Sequence, residues 1–149
     1  MSNEELIAEQ KKALDYWYEG FNTGDIELAY TRFDPDCTWS GVGKNLERVT
    51  YAGRDTIIAY QSAWVKKVWT GKMTYFPKNC VCDGNTLMAE WDDEAVSSVT
   101  GETYKNTGVF VFEFDGTTTV KRGRAWFDAG PLQGTHVERF AEEGVGTGS

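Results

Sequence analysis

The sequence of 149 residues contains only one histidine, three cysteines and three prolines. The single histidine, His136, falls near the C-terminal end, so no Ser-His-acid triad is expected. Cys37, Cys80 and Cys82 cannot all pair with one another, and their spacing with His136 does not match the four-ligand pattern of a structural zinc site. The sequence therefore predicts three free thiols and no metal site.

Long apolar segments are also missing. No stretch approaches the roughly 18 consecutive apolar residues of a membrane-spanning helix. Residues 1–15 are polar and charged, without the apolar centre of a secretory signal. Since free thiols fit a reducing compartment, we expect a soluble cytoplasmic protein with no membrane partner.

Positive charge is in the minority, with 15 Lys and Arg against 23 Asp and Glu and a formal net charge of −8. This sign opposes binding to a phosphate backbone, so nucleic acid is not an expected partner. Gly41 and Gly43 do not have the spacing of a phosphate-binding loop, and no cofactor is predicted. The length suits one domain, residues 1–140, followed by a Glu- and Gly-rich flexible tail, residues 141–149.

Apolar residues recur at helical spacing in the first half of the chain. Residues 4–22 form one amphipathic stripe, Asp25 can cap a short second helix, and Gly53 opens a third that ends by Gly71. Between the second and third helices, the pattern predicts a strand at residues 37–42 followed by a loop at 43–52.

From Lys72 onward the pattern alternates with a period of two. Turn residues divide it into four segments, which predicts an antiparallel meander with strands at residues 72–82, 86–99, 103–114 and 118–128. Residues 108–112 are apolar at both parities, so this strand should be covered on both faces. Three helices followed by a curved meander give an α+β domain.

At this point the order of elements resembles a known superfamily. Residues 21–39, 51–64, 104–116 and 124–128 resemble the nuclear transport factor 2-like superfamily, and more closely its SnoaL-like and ketosteroid-isomerase-related branch. The resemblance implies a cone, in which a strongly curved antiparallel sheet wraps three N-terminal helices and encloses a pocket. It does not imply one reaction, because this fold hosts many functions.

Six tryptophans are present, and several lie on elements that line the pocket in the similar fold. Packing in the core is the alternative for each, but an aromatic pocket would favour a flat, apolar ligand. The predicted substrate-binding residues are Trp17, Trp39, Trp64, Trp91, Phe110 and Phe127.

An acid beside these aromatics is the candidate for chemistry. Asp93 shares strand parity with Leu87, Ala89 and Trp91, so it should face inward, where burial would raise its pKa and suit it to act as a general acid or base. The alternative is a solvated carboxylate at a strand bend.

Two further residues are catalytic candidates. Asn106 could orient a substrate carbonyl or bridge backbone groups. Asp128 could reach the pocket mouth or pair with Arg122 or Arg124 outside.

The reactions known for similar proteins are poorly matched. At the positions used by a steroid isomerase of this fold, the chain has Trp17, Ser40 or Gly41, and Phe110. Epoxide hydrolases related to the limonene enzyme use two acids, an arginine, a tyrosine and an asparagine. At the corresponding positions this chain keeps only one carboxylate. The residues there are Asp93, Trp91, Ala125, Trp39 and Gly41. Dehydratases of the scytalone type need histidines in the pocket, whereas the single histidine of this sequence is His136, near the C-terminal end.

Three hypotheses follow. The first is a cofactor-independent isomerase or cyclase that transfers protons on a hydrophobic carbonyl compound, with a hydrolase or dehydratase of the same fold as a variant. The second is a non-catalytic binder of a small apolar or aromatic ligand. The third makes the outer sheet face the working surface, and in every case we expect a homodimer through that face, around Val109 and Val111.

Overall fold

The computed structural model describes residues 1–42 and 47–132. Both the predicted 141–149 tail and His136 lie outside these ranges. Three helices precede or interrupt the strands: α1 (Asn3–Thr23), α2 (Ile26–Ala29) and α3 (Arg54–Val68). The strands are β1 (Phe33–Val42), β2 (Arg48–Ala52), β3 (Thr74–Cys82), β4 (Thr86–Val96), β5 (Thr103–Glu113) and β6 (Val120–Phe127), and a 3₁₀ helix covers Gly130–Leu132.

The helix boundaries follow from side-chain and backbone capping. The Ser2 hydroxyl accepts a hydrogen bond from the Glu5 N–H at the start of α1, and Gly24 ends that helix with a left-handed φ of 79°. The Asp25 carboxylate accepts from the Leu28 N–H and starts α2, as predicted. The α2 helix stops at Ala29, and Phe33 already belongs to β1.

One six-stranded sheet has the order β2-β1-β6-β5-β4-β3. Neighbouring strands are antiparallel except β1 and β6, which run parallel. The predicted four-stranded meander corresponds to β3 to β6. The loop prediction for residues 43–52 is wrong at Arg48–Ala52, which forms β2 and pairs with β1; residues 43–46 lie outside the described ranges.

The concave face of the sheet holds the core against α1 and α3. Strand β5 is covered on the concave face, where Phe110 and Phe112 are buried. On the other face Val111 is 5% exposed but Val109 is only half buried, so the predicted cover of that face is partial. In the described ranges, no helix is both long and apolar enough to cross a membrane.

Candidate functional site

A cavity lies between α3 and the concave face of the sheet. Its volume is about 60 Å³, which is room for a few water molecules. Nine of its fourteen lining residues are aromatic; the full set is Trp17, Phe21, Trp39, Gly41, Val42, Tyr51, Tyr60, Gln61, Trp64, Tyr75, Phe110, Ala125, Phe127 and Leu132.

Aromatic packing explains why this volume is small. Trp17 of α1 stacks on Trp39 of β1, with ring centroids 4.5 Å apart and an interplanar angle of 23°. Trp17 also meets Phe110 edge to face at 5.1 Å. These contacts fill most of the concave side and leave the cavity toward Trp64 and Phe127, whose side chains are only half buried.

Five of the six predicted binding residues line this cavity: Trp17, Trp39, Trp64, Phe110 and Phe127. The sixth, Trp91, is 1% exposed and lies in the core beside the cavity. Its ring packs against Tyr75 at 5.0 Å and Phe110 at 4.9 Å, below Gly108, where a Cβ atom would come within 2.6 Å of the indole.

The polar members of the lining were not among the predicted site residues. Gln61 and Tyr60 project from α3, and Tyr51 from β2. Tyr51 and Tyr60 stack with centroids 4.6 Å apart. Because the sequence pattern predicts a loop at residues 43–52, it does not place Tyr51 on the cavity wall.

Asp93 faces inward from β4, on the same side as Trp91. It is 2% exposed, and its Oδ1 atom has no hydrogen-bond partner in the described part of the chain. Burial raises the pKa of Asp93 to about 7, while the Asn106 backbone N–H opposes this rise. Asp93 does not line the cavity, but Tyr75, its cross-strand partner on β3, does.

Asn106 is held by protein groups. Its Nδ2 donates to the Tyr104 hydroxyl at 2.8 Å and to the Asp128 carbonyl oxygen at 2.7 Å, and its Oδ1 accepts from the Thr107 N–H. Both amide hydrogens are thus engaged within the chain. Since Asn106 is opposite Asp93 in the β4–β5 register, these bonds fix the strand next to the carboxyl group.

Asp128 lies at the exposed end of β6. Its Oδ1 accepts from the Gly130 N–H at 2.9 Å and so caps the turn that begins the 3₁₀ helix. Arg122 and Arg124 form ion pairs with Glu113, and Arg122 also pairs with Asp115. The Asp128 carboxylate therefore supports the chain turn at the sheet edge.

Several buried donors have no hydrogen-bond partner among the described residues. They are the indole nitrogens of Trp17, Trp64, Trp69 and Trp91 and the hydroxyl of Tyr18. Two of these, on Trp17 and Trp64, belong to lining residues. Because unsatisfied buried donors are costly, the interior favours water or a ligand that brings acceptors.

Thiols and acids do not cluster in this region. Cys37, Cys80 and Cys82 are all free, and within residues 1–42 and 47–132 no three His, Cys, Asp or Glu side chains come together as a metal-binding group. The chemistry that the described site can offer is therefore hydrogen-bond donation from neutral groups, with one carboxyl group beside it.

Comparison with known proteins agrees with this architecture. The family model of the SnoaL-like domain matches residues 14–121. A search of curated proteins finds no significant match.

Solved structures give the same fold at low sequence identity. TerC co-crystallized with polyporic acid aligns with a TM-score of 0.68 at 23% identity, over 88% of this chain and 98% of that one. A phenazine biosynthesis-related protein from Pseudomonas aeruginosa aligns with a TM-score of 0.71 at 17% identity, over 94% and 86%. SalBIII, an epoxide hydrolase/cyclase-like enzyme in pyran ring formation in polyether salinomycin, aligns with a TM-score of 0.67 at 19% identity, over 86% and 95%. Because the family model spans most of the chain and the fold agrees, this protein belongs to the SnoaL-like domain family.

Proposed function

We propose that this SnoaL-like protein takes up a flat, uncharged, hydrophobic small molecule in the cavity below α3. The observation that carries the proposal is the composition of the cavity wall. Nine of the fourteen lining residues are aromatic, and none of the fourteen carries a formal charge. A charged ligand would lose its hydration there without gaining a counter-ion, whereas a flat neutral one would stack on the rings.

Binding of a ring compound requires the cavity to widen. An apolar cavity that accepts benzene has a volume of about 150 Å³, against about 60 Å³ here. Trp64 and Phe127 are the half-buried aromatic members of the lining, while Trp17 and Phe110 are fixed by ring contacts on several sides. Displacement of Trp64 or Phe127 would therefore open the site at the lowest cost.

The names of structural neighbours support this class of ligand. One neighbour was co-crystallized with polyporic acid, one is related to phenazine biosynthesis, and one is an epoxide hydrolase/cyclase-like enzyme in pyran ring formation. These names concern small organic compounds and support no single reaction for this chain.

Beyond binding, the protein would also catalyse a reaction on its ligand, and Asp93 is the residue that supports catalysis. A buried carboxyl with an unpartnered oxygen and a pKa of about 7 can both accept and release a proton near neutral pH. We infer cofactor-independent proton transfer, as in an isomerase or cyclase, with Asp93 as the acid or base. Asn106 would position the adjacent strand, and Asp128 would have a structural part only.

Non-catalytic binding is the second candidate function. It is favoured by the position of Asp93, which lies beside the lining residue Tyr75 and outside the cavity wall. In that case the carboxyl group would be a buried polar residue of the core, and the ligand would leave unchanged.

Liquid chromatography coupled to mass spectrometry separates the two functions, because an isomer has the mass of its substrate but a different retention time. The protein is incubated with a hydrophobic metabolite extract, and bound and free compounds are compared before and after. Proton-transfer catalysis predicts a product that wild type forms and Asp93→Asn does not, whereas binding alone predicts retained compounds of unchanged mass and structure in both.

Asp92→Asn is the matched control. Asp92 is on the same strand but faces outward and pairs with Lys78 at 3.0 Å. It should behave as wild type. Full product formation by Asp93→Asn would remove Asp93 from the mechanism, and the absence of any retained compound would argue against the pocket itself.

A further inference from the structure

The orientation of Gln61 inside the cavity is set by a neighbour that the ligand would not touch. Tyr30 is 1% exposed, and its hydroxyl donates to the Gln61 Oε1 atom at 2.5 Å. Gln61 itself is 6% exposed and lines the cavity. With Oε1 engaged, its amide nitrogen is left on the cavity side without a hydrogen-bond partner among the described residues.

Tyr51 provides a second donor on the same wall. Its ring stacks on Tyr60, which precedes Gln61 in α3, and Tyr51 and Gln61 both line the cavity. Burial raises the pKa of both phenols; the hydrogen bond between them opposes that rise at Tyr51 and adds to it at Tyr60.

We propose that the Gln61 amide nitrogen and the Tyr51 hydroxyl together bind one carbonyl oxygen of the ligand, which makes the ligand a conjugated or aryl carbonyl compound. This inference rests on the proposed function and adds the polar anchor to it. A carbonyl oxygen has two lone pairs and can accept from both donors, while its ring lies against the tryptophans.

The two donors also suit a reaction at the carbon beside the carbonyl. If a proton leaves that carbon, the electron pair of the C–H bond moves into the C–C bond and negative charge develops on the oxygen. Two neutral donors in a water-poor cavity would stabilise that charge. The base that would receive the proton is the Asp93 carboxylate of the preceding proposal. Asp93 lies beside the lining residue Tyr75 and outside the wall, so the step requires the widened cavity. In an isomerisation the same proton returns at a different carbon.

Acetophenone and ethylbenzene are suitable probes because they share a ring and a two-carbon substituent and differ in the carbonyl oxygen. Calorimetric titration should show that wild type binds acetophenone more tightly than ethylbenzene. Each of Tyr51→Phe and Gln61→Leu should reduce this preference by about three- to ten-fold, the value of one hydrogen bond. The double variant should abolish it.

Tyr30→Phe tests the positioning of the amide. It should lower the affinity for acetophenone and leave ethylbenzene binding unchanged, because Tyr30 lies outside the cavity wall. Tyr18→Phe is the matched control, since it removes a buried phenol hydroxyl that is not part of the lining. Its probe preference should equal that of wild type.

A measurement on wild type alone keeps the proposal independent of variant folding. The infrared carbonyl stretch of ¹³C-labelled acetophenone should shift to lower frequency in the complex than in hexane, because two donors weaken the C=O bond. An unshifted stretch, or equal affinity of wild type for both probes, would overturn the carbonyl anchor while the apolar pocket stands. If the double variant of Tyr51 and Gln61 still preferred acetophenone to ethylbenzene, the carbonyl oxygen would bind at another place. Binding of neither probe at millimolar concentration would overturn the pocket and the anchor together.

Discussion

A carboxyl group in an aromatic core links the stability of the protein to pH, and Asp93 is such a group. In the unfolded chain its pKa returns to the ordinary value of 3.8, whereas in the folded chain burial raises it to about 7. Between these values the folded state holds a proton that the unfolded state has released. The contribution of Asp93 to stability is therefore largest at low pH and is lost as the pH rises toward 7.

Substitution of Asp93 by Asn tests this linkage. Since three pKa units correspond to about 4 kcal/mol, the stability of Asp93→Asn relative to wild type should increase by up to about 4 kcal/mol between pH 4 and pH 8. Urea unfolding of both proteins across this range measures the difference. Asp92→Asn should show no such increase, because Lys78 lowers the pKa of Asp92 and the linkage there has the opposite sign. A flat difference curve would mean that Asp93 titrates as a solvated acid.

Glycine on the sheet makes room for the large rings that cover it. A Cβ atom at Gly123 would come within 2.6 Å of the Trp39 ring, and Gly123 is the cross-strand partner of Trp39. The Trp17–Trp39 stack, and with it one wall of the cavity, therefore depends on the missing side chain of Gly123.

We expect Gly123→Ala to destabilise the fold by about 1–3 kcal/mol, the usual cost of overpacking. Trp39→Phe supplies the matched background, because a smaller ring leaves space for the added methyl group. Thermal or urea unfolding of the four proteins in this double-mutant cycle should show a smaller cost of Gly123→Ala in the Trp39→Phe background. Equal costs in the two backgrounds would show that the clash lies elsewhere.

At the level of elements, α1 and α2 approach each other closely at Gly20. A Cβ atom at Gly20 would lie 2.4 Å from the Ala29 backbone nitrogen and 2.6 Å from the Asp25 carbonyl oxygen. Both atoms are backbone and cannot rotate away. The turn at Gly24 folds α2 back on α1, and Gly20 permits the contact.

Gly20→Ala should therefore cost stability although alanine favours a helix by about 1 kcal/mol over glycine. We expect a net loss of about 1–3 kcal/mol from steric overlap. Glu19→Ala, at the exposed neighbouring position of the same helix, is the control and should stay within about 0.5 kcal/mol of wild type. A neutral or stabilising Gly20→Ala in chemical denaturation would contradict the tight α1–α2 contact.

Local periodicity predicted the helices and strands that are long enough to show a full pattern of apolar residues on their own. The stripe of α1 and the alternation of β4 are examples, and the alternation of β4 also places Asp93 inward. The short strand β2 was missed because Val49 and Tyr51, its inward-facing apolar residues, are too few to show a period. The parallel pairing of β1 with β6 joins segments about 85 residues apart and leaves no local pattern.

In the candidate site, too, the sequence predicted the residues that stand out by type but not those that depend on the topology. Large aromatics such as Trp39 and Trp64 stand out by residue type, and they lie on the cavity wall. Trp91 differs from them only in its position below Gly108, which no strand pattern reveals. The polar anchor requires β2 to meet α3, so Tyr51 could not be connected with Gln61 before the topology was known.

For the whole molecule, the outer face of the sheet is the surface that the core does not use. Met88 and Trp126 are 47% and 49% exposed there, on either side of β5, whose Val109 is half buried and whose Val111 is buried. Contiguous apolar side chains on an exposed sheet face are typical of a protein interface. A second copy of the same chain suits this face because its two flanks differ in charge.

The two sides of β5 differ in the charge that is left over after ion pairing. Glu94 of β4 pairs with Lys105 of β5, and Arg124 of β6 pairs with Glu113 of β5. This leaves Glu90 of β4 on one side and Arg48 of β2 on the other, with the Arg48 guanidinium 3.6 Å from the centre of the Trp126 ring. A two-fold axis that lies in the interface and runs parallel to β5 would place the acidic flank of one copy against the basic flank of the other. An isologous dimer would thus bury the apolar centre and pair the two flanks.

We expect a dimer in sedimentation velocity at micromolar concentration, and dissociation when Met88→Glu adds a carboxylate to the acidic flank next to the apolar centre. Val99→Glu is the control: Val99 is 54% exposed but follows the end of β4, away from the face. It should sediment as wild type. Because the concave side and its cavity are formed within one chain, Met88→Glu should still bind acetophenone. A wild-type monomer, or a Met88→Glu variant that remains dimeric, would show that this face is not the interface.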